Sequence, residues 1–420
     1  MSRPVTILAS GTTGDIRPFV ALGRGLRAAG CPVTIATHAR FAALVHAHGL
    51  PFRPVDGNPS DLLLHDDAAL TFDAGIIRGG AATVRFIRVA RPLYERMLTS
   101  AAEACRGSAA IIISLASCWG QHIATAFRIP CIWAPLQPIT PTGRFSSPLL
   151  PGISLPGARL RRLSYAAVEL ALWAPWRASV ARWRLRVTGS RAGSPNPFTL
   201  ARQERAPVIY GFSQHVVPPP DDWPMHHVTA GYWFLDDDAG FQLAPAIEAF
   251  LAAGEPPVYI GFGSMGGRRP AGDAALALGA LVESGRRGIL LGGPDVAQLA
   301  ARRADVLVIS SAPHHLLFPR VSAVVHHGGA GTTAAGLRAG VPTVTLPVGV
   351  DQYFWGARLA ALGAGAPPLA RRYATPERLA AAIGATESET MISRASALGR
   401  LIRAEDGVAR AVTAISGSLD

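Results

Sequence analysis

Short apolar runs alternate with amphipathic stretches along the whole of this 420-residue chain. In the first half Val5–Ala9, Val33–Ala36, Ala109–Ile113, Cys131–Ala134 and Val208–Phe212 read as strands buried on both faces. Between them Phe19, Leu22 and Leu26 recur at helical spacing, as do Val84, Ile87 and Leu93. The second half repeats the alternation with Val258–Phe262, Ile289–Leu291, Val306–Ile309, Ala323–Val325 and Thr343–Leu346. Strands alternating with helices imply parallel sheets with covered faces, and two such series imply two doubly wound α/β domains. Ligands of such folds bind at the carboxyl ends of the strands. The pattern divides into a first domain over 1–217, a linker over 218–245, a second domain over 246–395, and a terminal helix over 396–420 packing back on the first domain. The linker is read from Pro218-Pro219-Pro220-Asp221-Asp222-Trp223-Pro224 and from the polar turn Asp236-Asp237-Asp238-Ala239-Gly240. A cleft between two such domains suits a two-substrate reaction.

Composition sharpens this picture in one respect. The formal charge of +12 comes entirely from arginine, because the sequence contains no lysine. That excludes a pyridoxal Schiff base, a Walker A phosphate loop and any lysine nucleophile or base. The arginines are spread along the chain with no aromatic-interleaved motif, so no nucleic-acid partner is expected. Cys31, Cys105, Cys118 and Cys131 show no C-x-x-C spacing and lie in or near apolar runs, as buried thiols in a reducing cytoplasm would. Met1-Ser2-Arg3-Pro4 leads straight into a strand and no apolar run reaches membrane-spanning length, so neither a signal peptide nor a spanning helix is expected.

The richest chemistry lies in residues 321–352. A strand, Val321–Val325, runs into His326-His327-Gly328-Gly329-Ala330-Gly331-Thr332-Thr333, then a small-residue helix and a second strand ending in Asp351-Gln352. Glycines let backbone N–H groups approach an anion, and the following helix points its positive end at the same spot. Asp351 and Gln352 offer acceptors and donors suited to hydroxyls, so the stretch reads as a phosphate pocket beside a polyol pocket. Gly11-Thr12-Thr13-Gly14-Asp15 closes the first strand and opens a helix, with Asp15 at the N-cap position and Pro18 in the first turn. Asp15 there is either a cap or a base facing the cleft, and local sequence leaves both open. Gly261-Phe262-Gly263-Ser264-Met265-Gly266 fits G-x-G-x-x-G, but the next strand ends Leu290-Leu291-Gly292-Gly293 without the acid that binds a dinucleotide ribose. It reads instead as a close backbone approach to a ligand, with Ser264 offering a hydroxyl. Asp236-Asp237-Asp238 reads as a solvated turn, and His314, His315, His326 and His327 show no ligand spacing, so no metal is expected. Arg159–Arg186, with Trp173, Trp176 and Trp183, reads as a helix and loop over the first domain's cleft covering an apolar ligand, because Pro175 interrupts the pattern. A peripheral membrane-surface helix is the alternative there.

Taken together these motifs resemble the inverting, metal-independent glycosyltransferases of the GT-B fold, in particular bacterial sterol and antibiotic (glycopeptide and polyketide) glycosyltransferases. The resemblance rests on Gly11-Thr12-x-Gly14-Asp15-x-x-Pro18, on Val258–Met265, on Gly231–Leu235 and on the 321–352 stretch, and it covers nearly the full chain. It implies two Rossmann-like domains facing across a cleft, in an enzyme of secondary metabolism such as antibiotic biosynthesis. It also implies Asp15 as general base, and His327 rather than His326 at the diphosphate, from the spacing to Ala335 and Pro342. Gly329, Gly331, Thr332, Thr12 and Ser264 fall among the phosphate ligands, Asp351 and Gln352 on the sugar hydroxyls, and Ser311, Ala312 and His314 beside the nucleobase. Plant-type members carry tryptophan and glutamine where this chain has Ser311 and His314, so the donor base, uracil or thymine, stays open. Thr13 stands where sterol-like members carry arginine.

The expectation is therefore transfer of a sugar from a UDP- or dTDP-sugar to a hydroxyl of a lipophilic aglycone, without cofactor or metal, by a monomer or homodimer. Trp119, Phe145 and Trp173 are the expected acceptor walls. C-glycosylation of an aromatic aglycone, a nucleotide-sugar epimerase, an NAD-dependent oxidoreductase and a non-catalytic sugar-nucleotide binder are the alternatives.

Overall fold

The computed structural model describes residues 3–57, 80–189, 195–236, 242–262 and 270–419. Its first sheet holds β1 (Val5–Leu8), β2 (Val33–Thr37), β3 (Phe52–Pro54), β4 (Ala110–Ile113), β5 (Cys131–Trp133), β6 (Val208–Tyr210) and β7 (His227–Thr229). Their order is β3-β2-β1-β4-β5-β6-β7, every neighbouring pair parallel. The second sheet holds β8 (Val258–Gly261), β9 (Gly288–Leu291), β10 (Val306–Ile309), β11 (Ala323–His326) and β12 (Thr343–Thr345), ordered β10-β9-β8-β11-β12 and again parallel. Central strands such as Ile7-Leu8 and Ile111-Ile112-Ile113 are wholly buried because helices cover both faces, which is why their sequences are apolar without alternation. In each sheet the order reverses beside one strand, between β1 and β4 and between β8 and β11, and those two crevices hold the candidate site.

Two edge strands escaped the hydrophobic pattern. β3 carries Arg53 and Pro54, tolerable only at an edge where one ladder is missing. β7 lies inside the stretch read as a linker, so the boundary at 217 is corrected: the Pro-rich 218–224 segment joins β6 to β7 within the first domain. It is pinned there by contacts the composition did not reveal. Asp222 accepts from Thr142 Oγ1 at 2.6 Å and Arg162 at 2.7 Å, and Trp223 donates to the Thr140 carbonyl while stacking on Tyr210. The crossing to the second domain comes after β7. There Asp236, read as part of a solvated turn, takes a bidentate pair from Arg338 at 2.6 and 2.7 Å, while Asp237 and Asp238 lie outside the described residues.

The terminal segment is two helices. Glu389–Ala404 packs on the Ala330–Ala339 helix of the second domain, where Gly399 and Gly340 meet so closely that a Cβ on Gly399 would lie 2.7 Å from the Gly340 Cα. Asp406 then caps the Gly407–Gly417 helix through the Ala409 N–H, at 2.9 Å. Ala411, Val412 and Ile415 of that helix join the core around Phe19 and Leu22 of the first domain. The outgoing and returning crossings touch: Gly231, at φ +111°, packs its backbone against Gly407, where a Cβ on Gly231 would lie 3.0 Å from the Gly407 Cα.

Candidate active site

The first wall of the site is the turn after β1. Thr12 is the N-cap of the Thr13–Ala28 helix, and Asp15, expected at the N-cap, stands one turn in at N3 with Pro18 inside the helix. Its carboxylate bends back, Oδ2 accepting from the Thr12 N–H at 2.7 Å and the Thr12 hydroxyl at 3.0 Å. This is the return half of a capping box. Gly11, at φ +133°, makes room for it: a Cβ there would lie 2.7 Å from the Asp15 Cγ. Burial pushes the Asp15 carboxyl above its ordinary value, the Thr12 hydrogen bonds oppose that, and the nearby Asp351 charge adds to the rise. Sequence reasoning had missed a hydroxyl chain behind this turn, in which Ser114 binds the Ser10 N–H and Ser117 at 3.2 Å, and Ser117 returns to Ser10 at 3.1 Å. It also missed Arg40, which donates to the Gly11 carbonyl at 2.7 Å.

The second wall is the turn after β11. Alternation along the strand separates the paired histidines. His326 is fully buried, and its Nδ1 accepts from the Gly328 N–H at 2.9 Å, holding the turn. His327 emerges on the other side with its Nε2 over Gly329, where a Cβ would lie 2.5 Å from it. Burial lowers the His327 pKa, so the ring is a neutral imidazole carrying one N–H. Gly329 caps the Ala330–Ala339 helix without contributing a side chain, and the first intrahelical bond runs from Thr333 N–H to Gly329 O at 2.9 Å. The amides of Ala330, Gly331 and Thr332 precede that bond and point outward from the helix's positive end. Gly328, at φ +91°, packs on the Gln352 carbonyl, which a Cβ would meet at 2.9 Å.

Asp351 and Gln352 do not end the strand, as expected from sequence. β12 stops at Thr345, and Asp351 is the N-cap of the Gln352–Leu362 helix. Gln352 Oε1 accepts from the Val348 and Gly349 N–H groups, shaping the intervening loop. Asp351 is 8% exposed, and burial raises its carboxyl against opposing bonds from Gln137 and Trp355. Those bonds are both 2.9 Å, to Oδ2, and the one from Gln137 crosses the cleft. Gln137 was not found from sequence; its only signal was its place at the carboxyl end of β5. The walls approach closely enough that a Cβ on Gly331 would lie 3.9 Å from the Gly14 carbonyl.

The remaining expected residues divide. His314 opens a short helix, stacks on Phe318 at 4.3 Å, and is pushed down to about 4 by burial, with Arg17 and His315 adding to the shift. Ser311 is exposed beside it and Ala312 is half-buried. Phe145 reaches the second domain, its ring 5.4 Å from Phe354. Trp119 and Trp173, expected as acceptor walls, are core side chains instead: Trp119 is fully buried against Trp176 at 4.9 Å, and Trp173 is 3% exposed against His122 at 5.0 Å. Their indoles bury too much apolar surface to stay open once the Trp-bearing helices have packed. Ser264 lies outside the described residues.

The whole architecture matches solved structures. The glycotransferase of kitacinnamycin superposes with a TM-score of 0.72 over 100% of both chains at 22% identity. The chain has the GT-B fold. The calicheamicin glycosyltransferase superposes nearly as well, with a TM-score of 0.71 over 100% of this chain and 98% of its own at 18% identity. Within this GT-B chain residues 5–124 match the glycosyltransferase family 28 N-terminal domain. Residues 292–405 match the C-terminal domain of erythromycin biosynthesis protein CIII-like proteins. Both walls of the site fall inside those matches. The chain is also similar to a sterol 3-beta-glucosyltransferase of Emericella nidulans, 35% identical over 99% of this chain, and spans only 30% of that relative's length.

Proposed function

We propose that this GT-B chain transfers a sugar, with inversion, from a nucleotide-diphosphate sugar to a hydroxyl group of a lipophilic sterol-like or natural-product acceptor. The observation that carries the reading is the pairing of unlike walls. The turn that holds Asp15, on the first domain, comes so near the open helix end of Ala330–Ala339, on the second, that a Cβ on Gly331 would lie 3.9 Å from the Gly14 carbonyl, and Gln137 of the first domain binds Asp351 of the second. Ionised Asp15 takes the proton of the acceptor hydroxyl, whose oxygen attacks the anomeric carbon from the face opposite the diphosphate. As the bond to the diphosphate breaks, its oxygens gain charge. We assign the stabilisation of that charge to the amides of Ala330, Gly331 and Thr332 at the helix end, with the Thr332 hydroxyl and the His327 N–H, which is what a metal ion would otherwise do. Asp351 and Gln352 orient the sugar, and the half-buried His314 ring, backed by the buried Phe318, offers a surface to the base of a uracil or thymine nucleotide.

The relatives support sugar transfer and the class of acceptor: a sterol 3-beta-glucosyltransferase by sequence, and the glycosyltransferases of kitacinnamycin and calicheamicin by fold. The test is Asp15→Asn assayed with UDP- and dTDP-sugars and a sterol or polyketide acceptor, product configuration being read by NMR. The expected result is a loss of about 10²–10⁴ in turnover with nucleotide affinity retained. Turnover near wild type, a retained anomeric configuration, or a strict requirement for a divalent cation would overturn the reading.

A further inference from the structure

The Ala158–Trp173 helix presents a face to solvent that its core packing does not need. Its inner side, with Ser164, Tyr165, Glu169 and Trp173, is buried. Its outer side exposes Leu160 at 46%, Leu163 at 62% and Leu170 at 63%, and Ile153 just before the helix is 51% exposed. Ala167 and Ala174 continue the line, so the exposed apolar positions recur at steps of three and four residues and form one stripe. Ordinary surfaces carry such residues singly, and a contiguous stripe marks a contact surface.

Charge identifies what that contact would be. Between residues 151 and 189 the chain has seven arginines and one acid, Glu169, which is buried and held by Arg202 at 2.7 and 2.8 Å. Arg159 and Arg177 are exposed at the two ends of the stripe. A second copy of this chain would bring arginine against arginine around the same stripe, whereas an anionic lipid surface complements both the apolar line and its basic ends. Among the described residues no helix is long and apolar enough to cross a membrane, so the geometry fits a helix lying in the interface.

The stripe is also continuous with the cleft. The segment leading into it leaves Gln137 on Asp351, places Phe145 on Phe354, and passes Gly152 so near Tyr353 that a Cβ on Gly152 would lie 3.4 Å from its ring, before Ala158 begins the helix. Arg161 ties the first turn back to that segment, donating to the Gly143 carbonyl at 3.2 Å.

We propose that the outer face of the Ala158–Trp173 helix docks the protein on an anionic lipid bilayer, setting the rim of the cleft against the membrane. Docking itself stands apart from the proposed reaction. Its consequence, collection of a lipophilic acceptor from the bilayer, rests on that reading.

The experiment is vesicle flotation of the full chain with phosphatidylcholine alone and with two parts phosphatidylcholine to one part phosphatidylserine. Wild type should float with the anionic vesicles, at least about tenfold less with neutral ones, and less as salt rises through the screening range. Leu163→Glu/Leu170→Glu, both on exposed positions, should lose at least about tenfold in flotation with an unchanged melting curve and unchanged turnover of a water-soluble acceptor. Arg159→Ser/Arg177→Ser should lose mainly the salt-sensitive part. Absence of flotation by wild type, equal flotation of the Leu variant, or conversion of a dimer to a monomer by that variant would each overturn docking. Flotation as expected, with no sugar transfer to any acceptor in water or vesicles, would instead overturn the proposed function alone.

Discussion

The two turns that face each other across the cleft are built from the same parts and end in opposite electrostatic states. Each leaves a buried parallel strand beside the point where its sheet reverses, passes through one glycine at positive φ, and opens a helix. In the first, the helix end is occupied by its own carboxylate, since Asp15 folds back on Thr12. In the second, the cap is a glycine, the first turn of the helix holds no acid, and the amides stay outward. One helix end thus fixes a negative group in place and the other is left ready to receive one. The difference lies in the cap, Thr12 against Gly329, and in the side chain three residues past it, Asp15 in one turn and Thr332 in the other.

Making the turns alike is the strongest way to break this contrast. Gly331→Asp has room, the nearest foreign atom to a Cβ being 3.9 Å away, and brings a carboxylate to the open helix end. Two like charges about 4 Å apart at an effective dielectric near 20 repel by about 4 kcal/mol, so nucleotide diphosphate binding measured by calorimetry should weaken on the order of a thousandfold. His327→Ala should lower turnover by about 10²–10³, the usual loss for one donor to a developing anion. His326→Ala should instead lower the melting temperature, because that ring holds the turn from inside the core. Gly328→Ala forces a side chain into positive φ and against the Gln352 carbonyl, and thermal unfolding should show a loss of about 1–3 kcal/mol.

The smallest effect comes from the first turn. Thr12→Ala removes the cap hydroxyl and should cost about 0.5–2 kcal/mol. It also sharpens the contrast through pH. As the proposed base Asp15 has to be ionised, and its carboxyl is raised by burial, so on that proposal kcat/KM should climb with pH along a limb above the ordinary carboxylate range. The Thr12 hydroxyl favours the ionised form, so its loss should move that limb to higher pH. An unmoved limb would mean that another group sets it.

How legible all this was depended on whether a residue's environment is set locally. The central strands could be read because burial on both faces leaves only apolar residues, as in Ile111-Ile112-Ile113. β3 and β7 could not, since an edge strand of three residues needs no such run and Pro54 or His227 is acceptable there. The resemblance named His327, and strand alternation gives the physical reason it differs from His326. The fold-back of Asp15 on Thr12 lay within one turn, yet the cap was placed at Asp15 because the aspartate is the stronger capping residue in isolation. Gln137 and the Asp222 anchor are contacts between distant segments, and neither leaves a periodic trace. The tryptophans misled for a related reason. A large aromatic beside a cleft serves a ligand pocket or a core equally well, and for Trp119 and Trp173 packing decided.

The backbone contact between Gly231 and Gly407 has a mechanical consequence. Among the described residues the outgoing and the returning chain crossings meet at this contact, so a change in the spacing of the two domains would turn about it. A methyl group added at Gly407 would collide with the Tyr232 carbonyl and act as a wedge, changing how far apart Asp15 and the Ala330–Ala339 helix end rest without touching either.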